Sequence, residues 1–296
     1  MTTPVPPWST TLYGRAEPPR TSTAEEISLH VARHLPGVEL WSIRNTTRAW
    51  TVLQSSYTFG VADRLAGEVT WRAGSRTAAL TAATTVVIEP SELQTAVSLE
   101  APADFDFLLV SPAAAQREFD RDLSDEERPH HFASPRLEDV GLVSQFRRLW
   151  RAILDPQASD VEQQSLFRAY MHEVFDRAGT RGRPTQFTRC EEALEKVRRV
   201  IRDRYAERLT LDGFAGETGF SKFYLERSFH QRYGLPIHQY LKKFRVSRAL
   251  DLLRSGMRPS AVSKKVGFAD QPHMTRVFRD ELGITPRRFW SAANPG

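Results

Sequence analysis

A short unit that occurs twice near the end of the chain restricts the possible fold more than any other feature of the sequence. The segments TGFSKFYLERSFHQRYGLPI, at 218–237, and VGFADQPHMTRVFRDELGITP, at 266–286, carry the same landmarks. Gly219 matches Gly267, and the following residues match once the second copy has gained one position after the turn. Two copies of one sequence unit predict two copies of one small structural module.

The first copy has the capping residues of two helices around a tight turn. Thr210 is a good N-cap for a short helix that ends near Thr218. Gly219 then lies where the chain must adopt a left-handed conformation. Ser221 is a good N-cap for a second helix, and Gly234 closes that helix.

The second copy repeats this arrangement with different capping residues. Pro259 fits the first turn of a helix that ends near Val266, because its missing N–H has no helical partner there. Gly267 supplies the turn, Asp270 caps the next helix and Gly283 closes it. A helix, a glycine turn and a capped second helix are typical of the helix-turn-helix, whose second helix lies in the major groove of DNA.

The segment between the two copies predicts a single long helix. Residues 236–255 carry regularly spaced apolar side chains over about 20 residues, which corresponds to about 30 Å of helix. Successive major-groove faces of B-DNA are about 34 Å apart on one side of the duplex. A helix of this length could therefore place both recognition helices on one face of DNA.

The charge of the chain is divided between its two parts. Residues 187–296 carry 22 Lys and Arg against 12 Asp and Glu, whereas the preceding residues carry 19 against 24. A basic region attached to a mildly acidic one indicates an anionic partner for the basic region, and nucleic acid is the commonest.

The last 100 residues or so resemble the AraC/XylS family of bacterial transcription regulators. The family's second unit reads much like GFADQPHMTRVFRDELGITPRRF, and HQYLKKFRVSRALDLL, at 238–253, is similar to its linker helix. The resemblance implies a sequence-specific DNA-binding transcription regulator. It also implies an activator that acts as a homodimer on double-stranded DNA, with RNA polymerase and a small-molecule effector as partners.

The resemblance also implies which side chains face DNA. Arginine suits bidentate contact with guanine or a phosphate, and glutamine suits adenine. For Arg227 and Arg276 a structural ion pair is the alternative, and for Lys222 and Arg279 it is a solvated or phosphate-facing charge. The candidates are Lys222, Phe223, Glu226 and Arg227 in the first unit, and Gln271, His273, Thr275, Arg276 and Arg279 in the second.

The first copy departs from the family pattern in two respects. Ile237 stands where the family usually has proline, and Pro236 lies one position earlier, so the start of the linker helix should differ. Gly213 and Gly216 fall within its first helix, where each costs up to about 1 kcal/mol relative to alanine. We therefore expect the first copy to be the less rigid of the two.

The region from 38 to 110 predicts antiparallel β-structure. Short runs of β-branched and aromatic residues, such as VELWSIRN and FDFLLV, are mostly separated by Gly, Pro, Asn or Asp. This pattern is typical of a sandwich or a barrel. By domain order the region looks like the family's cupin-type effector domain, which predicts an α+β fold with an N-terminal cupin-like antiparallel β-barrel and an all-α C-terminal domain.

Several side chains in this β region are candidates for binding an effector. Because strand residues alternate between two faces, each of them could equally be core or surface. The candidates are Trp41, Arg44, Tyr57, Trp71 and Arg72.

Two amphipathic stretches, at 138–154 and 161–177, predict a helical hairpin. The hairpin could cover the barrel or pair with a second subunit. The predicted domains are a flexible arm at 1–25, an effector-binding and dimerisation domain at 26–177, a linker at 178–186 and a DNA-binding domain at 187–296.

Composition argues against several other classes of protein. One cysteine allows no intrachain disulfide, and the eight histidines all lie outside 38–110, so we expect no metal and no cofactor. No apolar run is long enough to span a membrane, and the start of the chain lacks a signal-peptide pattern, which predicts a cytoplasmic protein.

No set of residues with the pattern of a catalytic site is visible, and we expect no enzyme. The alternatives are a regulator controlled by protein contacts alone and a barrel enzyme attached to a DNA-binding domain.

Overall fold

Antiparallel strands form the first half of the protein and helices form the second, as the predicted α+β class requires. The computed structural model describes residues 25–294 except 48, 50, 66, 74–75, 91, 120–130, 133 and 181–188. Most of the predicted flexible arm, at 1–24, lies outside the described residues. The strands are β1 (Glu26–Val31), β2 (Val38–Thr46), β3 (Thr51–Leu53), β4 (Tyr57–Leu65), β5 (Val69–Ala73), β6 (Arg76–Leu80), β7 (Thr84–Ile88), β8 (Leu93–Leu99), β9 (Ala103–Val110), β10 (His131–Phe132), β11 (Arg136–Glu138) and β12 (Gly179–Thr180).

Two antiparallel sheets face each other across the core of the N-terminal domain. One has the strand order β1-β2-β9-β4-β7-β11 and the other β3-β8-β5-β6. The first sheet reaches beyond the predicted 38–110, because β1 and β11 pair with β2 and β7 at its edges. We call these two sheets the β-sandwich.

Strand β9 shows why the β-sandwich needs a cover on its outer face. All of its residues are buried, and alternate side chains point to opposite faces of the sheet. Phe105 and Phe107 pack between the two sheets, whereas Leu108 and Val110 pack outward against helices. A strand buried on both faces indicates a third layer.

The predicted helical hairpin forms that third layer. It consists of α2 (Val140–Leu154) and α3 (Asp160–Ala178), which follow α1 (Pro112–Phe119). Phe146 of α2 and Tyr170 of α3 are at most 1% exposed and join the cluster on the outer face of the sheet. The hairpin therefore covers the β-sandwich within one chain.

The C-terminal domain is entirely helical within its described residues. Of the predicted linker, Ala178 ends α3 and the next two residues form β12, which pairs with β10; the remainder lies outside the described residues. No described helix is long and apolar enough to cross a membrane. The helices are α4 (Arg189–Arg204), α5 (Leu211–Thr218), α6 (Lys222–Tyr233), α7 (Ile237–Arg254), α8 (Pro259–Lys265), α9 (Gln271–Leu282) and α10 (Pro286–Ala293).

The two domains share their hydrophobic core. One cluster contains Trp41 and Phe107 of the β-sandwich together with Leu250, Phe278 and Phe289 of the helical domain. Helices α7, α9 and α10 therefore close one side of the β-sandwich.

Candidate nucleic-acid interface

The first helix-turn-helix unit is formed by α5 and α6, and its local sequence explains its geometry. Thr210 Oγ1 accepts a hydrogen bond from the Gly213 N–H at 3.2 Å, which caps α5. Gly219 has φ +73°, so the chain turns through the left-handed region where glycine is favoured. Ser221 Oγ then accepts from the Tyr224 N–H at 3.3 Å and caps α6.

The second unit is formed by α8 and α9. Asp270 Oδ1 accepts from the His273 N–H at 2.7 Å, so an acidic cap starts α9, where the helix dipole favours it. Gly267 has φ +83°, and a Cβ at that position would lie 2.8 Å from the Ala206 carbonyl oxygen. The turn of the second unit therefore packs directly against Ala206, two residues after the end of α4.

Two glycine substitutions should change stability in opposite directions. Gly267→Ala should lower the free energy of unfolding by about 1–2 kcal/mol from the left-handed backbone alone, and by more because of the Ala206 contact. Gly216→Ala should raise it by up to about 1 kcal/mol, because Gly216 lies inside α5 and a Cβ there meets nothing within 4 Å. Urea unfolding of both variants measures this. If Gly216→Ala were less stable than wild type, the fold would require glycine at position 216 in spite of its cost within a helix.

The first recognition helix presents three exposed side chains from the predicted set. Phe223 is 87% exposed, and Lys222 and Arg227 are also exposed. Lys222 Nζ lies 2.9 Å from Asp212 Oδ1 of α5, but both groups are exposed and such a pair contributes little. An exposed phenylalanine on a helix is available for apolar contact with a thymine methyl group.

Glu226 has a partner within the protein. Its Oε2 accepts a hydrogen bond from the Ile237 N–H at 3.4 Å, at the first residue of α7. Pro236 occupies the N-cap position and makes no side-chain cap, whereas Thr285 Oγ1 caps the equivalent helix in the second unit. The start of α7 thus differs from the start of α10 in the second unit, and Glu226 supplies the acceptor that Pro236 lacks.

The second recognition helix presents Gln271, Arg276 and Arg279 as exposed side chains, while Thr275 is partly exposed. His273 is also partly exposed, and its ring meets Phe268 edge-on at 5.3 Å. Within the described residues, no ion pair involves Arg227, Arg276 or Arg279, so the structural ion pair considered for two of them is not seen there. Their guanidinium groups are free to meet phosphates or base edges.

The candidate effector residues are not gathered in one place. Trp41 lines a cavity, but Arg44 pairs with Asp106 at 2.6 Å. Tyr57 packs against aromatic rings under the helical hairpin, and Trp71 is 1% exposed in the core. Arg72 lies against Gly234 at the end of α6, and burial lowers its pKa.

The cavity that Trp41 lines lies between the β-sandwich and the second helix-turn-helix unit. Its walls are mainly apolar, and part of it opens to solvent. Gln54 and Gln94 from the β-sandwich and Glu281 and Leu282 from α9 complete its lining. Any molecule bound there would touch both domains.

Buried charges connect the two domains beside this cavity. Lys243 of α7 donates to the Thr51 carbonyl of β3 at 2.6 Å and pairs with Glu281 of α9. Burial alone would raise the pKa of Glu281, but the ammonium groups of Lys243 and Lys242 bring it below its ordinary value. Nothing in the sequence marks these residues, because helical periodicity does not reveal which charges a neighbouring domain will bury.

A second ion pair joins the β-sandwich to the end of α7. The Arg254 guanidinium donates to both carboxylate oxygens of Glu39, with Nη2 2.9 Å from Oε2. Trp41 Nε1 donates to the same Oε2 at 3.1 Å. Trp41 also stacks on Phe289 of α10, with ring centroids 5.8 Å apart.

The helical C-terminal part of the chain is similar to known protein families. Residues 214–291, which include most of the first unit and all of the second, match the family described as Helix-turn-helix domain. The HTH-type transcriptional activator RhaR of Escherichia coli is 33% identical over 103 residues, or 34% of this chain and 36% of RhaR. The uncharacterized HTH-type transcriptional regulator YbfI of Bacillus subtilis is 36% identical over 81 residues, or 27% of this chain and 30% of YbfI. The chain thus matches about a third of the length of these curated relatives.

Solved structures match over most of the chain. The match with apo ToxT from Vibrio cholerae covers 87% of this chain and 98% of the ToxT chain, with a TM-score of 0.51 and 12% identity. The structure of unsaturated fatty acid bound ToxT covers 86% and 94%, with a TM-score of 0.50 and 13% identity. At such identities the likeness concerns the fold, and it confirms the predicted α+β class.

Proposed function

We propose that this chain, whose C-terminal third is a helix-turn-helix domain of the AraC type, is a sequence-specific DNA-binding transcription regulator that responds to a small molecule. The observation that carries the proposal is a pair of capped helix-turn-helix units whose second helices present exposed arginines that have no ion-pair partner within the described part of the chain. Helix α7 between them has 18 residues and is thus about 27 Å long. Such a helix can hold two groove-reading helices about one DNA turn apart.

The predicted contacts follow from this arrangement. Arg227, Arg276 and Arg279 would bind phosphates or guanine edges, and Gln271 would read adenine. Phe223 would meet a thymine methyl group, and Lys222, His273 and Thr275 would border the same grooves. Glu226 could accept from cytosine through Oε1, because its bond to the start of α7 uses Oε2.

The cavity supports control by a small molecule rather than by protein contacts alone, because it lies where the two domains meet. ToxT has been solved with an unsaturated fatty acid, and RhaR is named as an activator. By this similarity we propose an activator that works with RNA polymerase in the cytoplasm. The resemblance to the AraC/XylS family implies a homodimer, and we propose one here.

Replacing Arg276 tests the proposed interface. Arg276→Ala should weaken binding to a duplex selected by the purified chain from a random library by about 1–3 kcal/mol, or roughly 5- to 150-fold in Kd. The physical reason is the loss of a charge-assisted contact, and fluorescence anisotropy at fixed salt measures it. Arg168→Ala is the matched control, because Arg168 lies on the helical hairpin, where it pairs with Glu118. Equal affinity of Arg276→Ala and wild type would refute this role for α9.

A further inference from the structure

The cavity between the β-sandwich and α9 contains polar groups that the described residues do not satisfy. Gln54 and Thr58 line it and are 7% and 2% exposed. Gln54 Oε1 and Thr58 Oγ1 have no hydrogen-bond partner within the described part of the chain. Buried polar oxygens are normally paired, because burial removes water without replacing it. These two oxygens therefore mark a place for a ligand that donates a hydrogen bond.

The walls of the cavity define the body of such a ligand. Trp41 and Phe107 supply two aromatic rings, and Ile27 and Leu109 add aliphatic surface. Aromatic rings contact a flat molecule over a large area. The lining thus favours a planar apolar body with one polar end.

The charges around the cavity exclude an ionised ligand. Among the described residues that line it, Glu281 is the only one with a charged side chain, and none is a lysine, arginine or histidine. A carboxylate ligand would face Glu281 without a cation of its own. Glu281 is already paired with Lys242 and Lys243, so its charge is not available to a cationic ligand.

We infer that this cavity binds an uncharged, planar molecule with an apolar body and a hydroxyl or amide group, and that the molecule touches both domains. The inference rests on the proposed function, since it identifies the chemical class of the effector. The hydroxyl or amide group of the ligand donates a hydrogen bond to Gln54 Oε1 or Thr58 Oγ1, and the apolar body of the ligand contacts Leu282. Leu282 is the last residue of α9, so occupancy of the cavity reaches the second recognition helix directly.

A pair of probes with one skeleton and different charge tests the chemical class. Cinnamyl alcohol should bind the full chain and raise its Tm, and cinnamate should bind at least about tenfold more weakly, because its carboxylate must be buried without a partner. Isothermal titration calorimetry measures both affinities. Hydrogen exchange should slow on binding in peptides covering 51–58 and 277–284.

Substitutions separate recognition from structure. Gln54→Leu should weaken cinnamyl alcohol binding about tenfold while leaving the Tm of the free protein unchanged or higher, because it removes a buried amide oxygen that has no partner among the described residues. Gln163→Leu is the matched control: Gln163 Oε1 is also buried and has no partner in the part of the chain that the structure describes, but it lies on α3, away from the cavity. This control should bind the probe like wild type.

Three results would each overturn the inference. They are binding of cinnamate as tight as that of the alcohol, absence of binding by both probes, and unchanged affinity in Gln54→Leu. Protection confined to 51–58 would refute contact with α9. In each case, intact binding to the selected DNA duplex would leave the proposed regulator standing, whereas failure to bind any duplex would refute the regulator itself.

Discussion

Replacing Glu39 by alanine should lower the free energy of unfolding by up to about 3–5 kcal/mol, because it removes the main partner of an arginine whose side chain is only 20% exposed. Arg254 keeps Asp251, whose Oδ1 lies 3.0 Å from Nη1, but loses both bonds to Glu39. The indole N–H of Trp41 loses its acceptor as well. Urea unfolding followed by circular dichroism measures the change in the free energy of unfolding. A loss of this size would show that the contact between the two domains contributes strongly to stability.

The double substitution Glu39→Leu with Arg254→Met is the control for that experiment. Removing both charges leaves no stranded arginine, and apolar side chains of similar volume often replace a buried ion pair without loss. The double variant should therefore recover most of the lost stability. If it were as unstable as Glu39→Ala, the loss would come from packing rather than from the unpaired charge.

Replacing Phe289 by alanine should also lower the free energy of unfolding by about 3–5 kcal/mol, as for other large side chains removed from a core. Phe289 is 0% exposed and stacks on Trp41 of β2. It also packs against Phe278 of α9, with ring centroids 6.2 Å apart. The substitution thus leaves a cavity at a point shared by α9, α10 and the β-sandwich, and the same urea experiment measures it.

Phe223→Ala is the matched control, because Phe223 is 87% exposed on α6. Its stability should stay within about 0.5 kcal/mol of wild type, as for most surface substitutions. Its affinity for the selected duplex should fall. A Phe289→Ala variant as stable as Phe223→Ala would show that the contact between α10 and the β-sandwich is not formed in solution.

Both recognition units are tied to the β-sandwich, but by different contacts. The second unit shares the aromatic cluster around Trp41 and Phe289. The first unit packs its Phe229 in a cluster that includes Leu53 and Leu93 of the four-stranded sheet. A change in the β-sandwich can therefore reach each unit through packed side chains.

The helix boundaries of the DNA-binding domain were predictable because their causes are local. Thr210, Ser221 and Asp270 cap helices through hydrogen bonds to backbone groups three residues later, and Gly219 turns the chain by itself. Such interactions depend on neighbours in the sequence, so spacing alone indicates them.

The effector residues were not predictable in the same way. Five side chains were proposed in the β region, and Trp41 is the one of them that lines the cavity. Alternation along a strand tells which residues share a face, but it does not tell which face meets a cavity, a helical hairpin or a neighbouring domain. Tyr57 and Trp41 illustrate this, because they lie in clusters on opposite sides of one sheet.

By itself the sequence determined two capped helix-turn-helix units, a helix between them, a basic C-terminal domain and an antiparallel N-terminal domain, since each follows from local spacing or from composition. The tertiary structure alone decided that Glu226 supports the start of α7, that Arg254 finds Glu39 across the junction, and that Gln54 and Leu282 face one cavity. The physical reason is that these contacts join residues far apart in the chain. Their formation depends on how two domains pack, and no periodicity within either domain encodes that packing.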